Sequence, residues 1–159
     1  FGLAISTFVG QNIGAGKTDR IKKGVKVCLG YAVIITFMMS ILVLLSGSYL
    51  INLFTTSEEV KNMGLVMMYI IAPFTFTHCF TEVLAGAIRG AGFAFHTMIL
   101  TATGICLFRV IWLSSMLSYM NDIRVLYWCY PASWIFCSIC FIIYYLRGRW
   151  LTNSLQSEY

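Results

Sequence analysis

Two ionisable side chains interrupt an apolar helical segment that runs from Pro73 to Gly92. His78 and Glu82 are four residues apart, so on a helix they share one face, and Arg89 falls on that face near the helix end. A charge inside hydrocarbon costs on the order of 3 kcal/mol on insertion scales, so it tends to face a partner or a wet cavity. Glu82 is therefore a candidate for binding a cation or a proton. His78, which titrates near neutral pH, is a candidate for proton relay.

The same residues also allow a structural interpretation. Glu82 could be neutralised by a fixed partner, and His78 could be a neutral ring bonded to a neighbour. Arg109, in the segment LFRVIW, could pair with a carboxylate such as Glu82, extend its side chain to the membrane surface, or lie over Trp112 three residues on. The sequence leaves these alternatives open.

The composition is that of a membrane protein. Of the 159 residues, 59% are hydrophobic and only 11% are charged, whereas soluble domains have roughly 25% charged residues. The net charge of +5 does not indicate nucleic acid as a partner, because the basic residues cluster beside apolar spans and no nucleic-acid-binding motif is present. Cys137 and Cys140 have no second ligand pair, so we predict no metal site. The absence of GxSxG and HExxH motifs argues against an enzyme.

Four apolar segments are long enough to cross a bilayer, which takes about 20 residues. They predict an all-α, polytopic transmembrane helix bundle. The predicted spans are residues 25–54, 60–89, 94–119 and 125–146. Polar turns at 55–59 and 120–124 separate them. Pro73 lies inside the second span and should kink or locally open it, because proline removes one backbone donor.

The two ends of the chain differ from the spans. Residues 1–16 are too short to cross a membrane and are predicted to be the end of a further helix that stops at Gly14-Ala-Gly16. Since the chain begins at Phe1 without a signal-peptide pattern, we expect residue 1 to lie in the middle of a larger polypeptide. We interpret residues 1–150 as part of one membrane domain and residues 151–159 as a polar cytoplasmic tail.

The basic residues favour one orientation. Eight of them fall on one side of the predicted spans: five within residues 17–26, followed by Arg89, Arg147 and Arg149. Only two fall on the other side, Lys61 and Arg124. Cytoplasmic loops carry the excess of Lys and Arg, so segment 17–26 and the C-terminus are predicted to be cytoplasmic in a multi-pass protein of the cell membrane.

A glycine motif, G-x-x-x-G-A-G, occurs twice, at residues 10–16 and 86–92. Both copies end a helix that descends to the same side. Small residues four apart allow two helices to approach closely in lipid. The repeat is compatible with a chance match and with a duplicated unit.

The segment VGQNIGAGKTDRIKKG (residues 9–24), followed by two spans and then LAGAIRGAG (84–92), resembles the MATE family of multidrug and toxic-compound exporters. The matching positions are Gln11, Gly14, Gly16 and Arg20 in the first segment and Gly86, Arg89, Gly90 and Gly92 in the second. The resemblance implies a twelve-helix, two-lobe transporter. This chain would contain the end of helix eight and helices nine to twelve, and its partner would be the missing N-terminal lobe.

The resemblance also implies a function. Members of this family are antiporters that export cationic or amphipathic organic compounds in exchange for H⁺ or Na⁺, without an organic cofactor. Their tenth helix carries an acidic coupling residue in several members, and the candidates here are Glu82 and His78, with Arg109 as a further residue of the pathway. The alternatives are a lipid-linked oligosaccharide flippase of a related family and a truncated, non-transporting membrane fragment.

Overall fold

The computed structural model describes residues 1–116, 122–148 and 150–151. Seven α-helices and two short helical segments are found in these residues, and no strand. They are α1 (Gly2–Gly14), α2 (Thr18–Asn52), α3 (Glu58–Ile71), a 3₁₀ turn (Ala72–Phe74), α4 (Thr75–Gly90), α5 (Ala94–Thr101), a π-helical segment (Ala102–Leu107), α6 (Phe108–Met116) and α7 (Ile123–Leu146). The predicted all-α fold class is confirmed.

Four helical stretches are long and apolar enough to cross a membrane: Thr18–Asn52, Glu58–Gly90, Ala94–Met116 and Ile123–Leu146. They correspond to the four predicted spans. Residues 117–119, at the predicted end of the third span, and 120–121 of the next turn lie outside the described residues.

The basic segment that precedes the first predicted span is itself helical. At 1.5 Å per residue, the 35 residues of α2 extend about 52 Å, whereas the hydrocarbon core is about 30 Å thick. The helix begins at Thr18, seven residues before the predicted span, and it is longer than a bilayer crossing requires.

Most of the apolar surface of α2 faces outward. Met38 and Met39 are more than half exposed, as are Phe37 and Leu45. An exposed apolar surface of this size needs lipid or protein to cover it. Of the four membrane-length helices, α7 is the most buried within the bundle.

Helix α4 lies at the centre of the fold and packs against α1, α2 and α7. Its consecutive residues 83–88 are all buried. As the sequence predicts, Pro73 interrupts the second span, and the 3₁₀ turn that contains it separates α3 from α4.

Glycines on α4 bring α1 unusually close. The Cα of Gly86 packs against the carbonyl oxygen of Gly2, and the Cα of Gly90 packs against the carbonyl oxygen of Ser6. A Cβ added at Gly10 would lie 3.3 Å from the carbonyl oxygen of Gly90. The second copy of the motif therefore lets α4 approach α1 closely, as small residues four apart allow, and Gly10 of the first copy lies at this contact.

Hydroxyl groups link α4 to its other neighbours. The hydroxyls of Thr81 and Ser138 lie 3.1 Å apart, and Ser138 Oγ donates to the carbonyl oxygen of Thr77 at 2.7 Å. On the α2 side, Cys79 Sγ donates to Thr36 Oγ1 at 3.1 Å. These buried polar contacts fix the rotation of α4 in its helix bundle.

The predicted stop of α1 is present, since the helix ends at Gly14 and Gly16 adopts a φ of +68°. At the other end of the chain, Trp150 and Leu151 are buried in the core. Leu151 therefore differs from the polar tail that the sequence predicted, because its side chain packs into the bundle. Residues 152–159 lie outside the described residues.

Candidate functional site

His78 and Glu82 lie one turn apart on α4 and face each other, as the four-residue spacing predicts. His78 Nε2 and Glu82 Oε1 are 3.8 Å apart. The side chains keep 33% and 54% of their exposure, so both remain accessible in this chain. The pair can therefore exchange a proton or an ion with its surroundings while each side chain remains within reach of the other.

An aromatic side chain of α7 holds the His78 ring. The Trp134 ring stacks on it with centroids 5.4 Å apart and an interplanar angle of 27°. His78 Nδ1 is buried and has no hydrogen-bond partner among the described residues. Leaving a buried polar atom without a hydrogen-bond partner costs free energy. Nδ1 is therefore the atom of the pair that still lacks a partner within the described part of the chain. Trp134 carries no sequence signal beyond its place in an aromatic-rich helix.

A cavity of about 230 Å³ lies beside the pair, between α1, α2 and α4. Its lining includes His78 and Glu82, together with Gly2, Thr36 and Cys79. Pockets for drug-sized ligands measure about 300–1,000 Å³, so this cavity suits water and a small cation better than a drug. Among the described residues, no cluster of three or more His, Cys, Asp or Glu could hold a metal ion.

Arg89 lies on the same edge of α4, below Glu82. A Cβ built on Gly2 would lie 3.0 Å from Glu82 Oε2 and 3.7 Å from Arg89 Nη2, so both charged groups approach the same point of α1. In the described part of the chain, no ion pair within 4.0 Å joins them. Glu82 thus lies between His78, one turn above, and Arg89, two turns below.

Arg109 contacts α7 instead of a carboxylate. Its guanidinium lies 4.4 Å from the centroid of the Tyr130 ring, and its Nε donates to Ser133 Oγ at 3.0 Å. Ser133 Oγ in turn donates to the carbonyl oxygen of Tyr130 at 2.8 Å. Among the described residues no ion pair joins Arg109 to Glu82. This geometry favours the structural interpretation of Arg109.

The aromatic partner of Arg109 differs from the one that the sequence offered. Trp112 stacks on Phe108 at 5.8 Å and donates its Nε1 to the carbonyl oxygen of Val125 at 3.3 Å. Helix α7 brings the Tyr130 ring under the Arg109 guanidinium. Among the alternatives that the sequence left open, the described residues thus show an aromatic contact of Arg109 with Tyr130 rather than with Trp112.

A π-helical segment, Ala102–Leu107, precedes Arg109 and was not predicted. Such segments are rare and often lie at functional sites. Gly104 within it packs against Cys137 of α7, where an added Cβ would lie 2.8 Å from the sulfur. The extra residue in the turn changes the direction in which Arg109 points, and a periodicity of 3.6 cannot reveal it.

Several larger cavities lie away from the pair. One of about 590 Å³ is lined by Phe74, Trp112 and Trp128 among others, and one of about 360 Å³ by Met67 and Met68 among others. Both are predominantly apolar and fall within the size range of pockets for drug-sized ligands. The cavity beside the ionisable pair is thus smaller than these two, and it differs from them in having His78 and Glu82 in its lining.

The residues of the two glycine-rich segments gather at one end of the bundle, where α1 and α4 end and α2 begins. Gln11 and Arg20 are exposed there, and so is Arg89. The remaining positions of the two segments are Gly14, Gly16, Gly86, Gly90 and Gly92. Gly16 and Gly92 both adopt positive φ, at +68° and +90°, so each terminates its helix in the same way.

The MatE family model matches residues 1–116, nearly three quarters of the chain. The chain belongs to the MatE family. It is also similar to multidrug and toxin extrusion protein 1 of Danio rerio, with 30% identity over 92 residues. That alignment covers 58% of this chain and 16% of the relative. No solved structure matches the chain significantly.

Family membership confirms the resemblance drawn from the two glycine-rich segments. Both segments lie within the matched residues 1–116, as do His78, Glu82 and Arg109. The MatE chain is a membrane protein of a transporter family, with four helices able to span a bilayer. The chain spans only a small part of the length of the Danio rerio protein that it matches.

Proposed function

We propose that this MatE chain takes part in the export of cationic or amphipathic organic compounds in exchange for H⁺ or Na⁺, with His78 and Glu82 as its ion-coupling pair. The observation that carries the proposal is the 3.8 Å contact between these side chains beside a cavity of about 230 Å³. Family membership and the similarity to a multidrug and toxin extrusion protein support transport of organic compounds.

The position of the pair supports a coupling role. A proton or cation at Glu82 removes one negative charge from α4, the helix that contacts α1, α2 and α7. His78 can take up or release a proton one turn away, so the two side chains can share a single charge. Because Gly86 and Gly90 hold α4 against α1 without intervening side chains, a shift of α4 is transmitted to α1.

The surroundings of the pair also bear on its partners. Glu82 keeps more than half of its exposure, and much of the apolar surface of α2 is uncovered within the chain. We assign lipid to part of this surface and a second, N-terminal lobe to the side that faces the pair. By the positive-inside rule, we then expect the basic first turns of α2 to lie on the cytoplasmic side of the cell membrane.

Arg109 is assigned a structural role in this proposal. Its guanidinium already has an aromatic face and a hydroxyl as partners on α7. Replacing it should therefore weaken the contact between α6 and α7 without removing the coupling charge. This separates Arg109 from Glu82, although both are ionisable groups in membrane-length helices.

The experiment compares Glu82→Gln, His78→Gln and Arg109→Gln in the full-length protein, with Glu59→Gln as the control. Glu59 is an exposed carboxylate in the first turn of α3, far from the cavity lining, so its change removes the same charge elsewhere. Membrane abundance and efflux driven by a proton or sodium gradient are measured for each variant in the same cells.

We expect Glu82→Gln to abolish gradient-driven efflux at normal abundance, and His78→Gln to change the pH dependence of efflux. Arg109→Gln should lower abundance, and Glu59→Gln should match the unmodified protein. Normal efflux by Glu82→Gln would remove Glu82 from the mechanism. If Glu82→Gln lost abundance and added Arg109→Gln restored it, the two residues would form a structural pair and the proposal would be wrong, because an unpaired buried charge is strongly destabilising.

A further inference from the structure

A further cavity, with two lysines in its lining, lies at the end of the bundle where α2 begins and α7 ends. Its volume is about 270 Å³. Two lysines of α2, Lys22 and Lys26, form one side, and Tyr145, Gly148 and Trp150 contribute to the other. None of these residues lines the cavity beside His78 and Glu82, so the two sites are separate.

The aromatic wall of this cavity is a built part of the fold. Gly148 adopts a φ of +68° and reverses the chain after α7. Trp150 then packs back, with its ring 5.2 Å from that of Tyr145 and its Nε1 donating to the Tyr145 carbonyl oxygen at 3.1 Å. Only 2% of Trp150 is exposed, and it belongs to the same core cluster as Val25. The wall is therefore fixed by packing.

The lysine side of the cavity carries unbalanced charge. Lys22 and Lys26 are four residues apart on one face of α2, and both are exposed. In the described part of the chain, no carboxylate lies within 4.0 Å of either ammonium group. Like charges at this spacing repel each other. An anion placed between them would relieve the repulsion and gain two charge-assisted contacts.

The depth of the cavity in the membrane indicates which kind of anion it binds. Because α2 is longer than the hydrocarbon core is thick, we place its basic first turns at the depth of lipid headgroups. Exposed apolar residues such as Val27 follow directly along the helix. A cavity of about 270 Å³ suits a headgroup but is too small for a whole lipid. The acyl chains of a phospholipid would lie along the apolar outer surface of α2.

We propose that this cavity binds one anionic phospholipid, with its phosphate between Lys22 and Lys26 and its glycerol region against the Trp150 wall. Basic pockets between transmembrane helices at a membrane surface are known to bind anionic headgroups. Free phosphate shares the charge but lacks the acyl chains, and a zwitterionic lipid has the chains but no net charge. The lysine pair together with the apolar helix surface therefore selects an anionic lipid over both.

The test uses the purified full-length protein in a non-ionic detergent, titrated with short-chain phosphatidylglycerol, short-chain phosphatidylcholine or inorganic phosphate, with bound lipids counted by native mass spectrometry. The test variant is Lys22→Gln with Lys26→Gln. The matched control is Lys17→Gln with Lys23→Gln, which removes the same charge from the residue before α2 and from its first turns, outside the cavity lining. Lys22→Arg with Lys26→Arg keeps the charge.

We expect one phosphatidylglycerol per chain and much weaker binding of the other two ligands. Loss of both cavity lysines should weaken phosphatidylglycerol binding roughly thirtyfold, from the usual contribution of a basic residue at a membrane surface. The control pair should change it less than about threefold, and the arginine pair should preserve it. Equal losses in the test and control variants, or equal binding of phosphatidylcholine, would overturn the proposal.

Discussion

The contact between α1 and α4 allows a sharp test of the packing, through Gly90→Ala. A Cβ at this position would lie 2.9 Å from both the Cα and the carbonyl carbon of Ser6, and closer still to its carbonyl oxygen. These are backbone atoms of α1, so they cannot rotate away as a flexible side chain would. The helices must separate or shift to accept one methyl group.

The change in the free energy of unfolding combines two opposing effects. Replacing glycine by alanine near a helix end gains up to about 1 kcal/mol of helix propensity. Overpacking a well-packed contact costs typically about 1–3 kcal/mol. The matched control is Gly14→Ala, at the same position of the other copy of the glycine motif, where an added Cβ meets nothing within 4 Å. The propensity gain is common to both variants, so their difference isolates the overpacking.

Thermal unfolding of the purified variants in detergent measures that difference. We expect Gly90→Ala to unfold about 2–12 °C below Gly14→Ala, from the usual relation between stability and midpoint for chains of this size. Gly14→Ala should match or exceed the unmodified protein. Equal midpoints for the two alanine variants would refute the reasoning, because they would show that α1 and α4 do not pack through Gly90.

Two further predictions concern the α4–α7 contact and the orientation. Ser138→Ala removes the partner of Thr81, so it should lower the free energy of unfolding by about 1 kcal/mol, the scale of interhelical hydrogen bonds in membranes. The control is Ser46→Ala, whose hydroxyl bonds its own helix among the described residues and whose loss should leave the thermal midpoint unchanged. Equal midpoints for the two variants would contradict the prediction. In intact cells and a cysteine-free background, a membrane-impermeant thiol reagent should modify Ser57→Cys but not Thr18→Cys, and labelling at residue 18 from outside would reverse the proposed orientation.

The sequence by itself determined the class of this protein and the framework of its fold. Low charge and four long apolar segments specify membrane helices, because hydrocarbon leaves no other way to satisfy the backbone of a single span. Pro73 indicated the break before α4, and the two glycine-rich segments indicated the MatE family. The spacing of His78 and Glu82 placed them on one helix face, since these are local properties of an α-helix.

The tertiary structure decided what those residues face. Whether Arg109 meets a carboxylate or an aromatic ring depends on which residues α7 presents, and the unpredicted π-helical turn alters the direction of its side chain. Trp134 stacks on His78, which lies 56 positions earlier in the chain, and Trp150 packs back onto Tyr145, five positions earlier. Helical periodicity predicts neither contact. Periodicity is a property of one helix, whereas these contacts depend on the rotation and closeness of neighbouring helices, which packing alone determines.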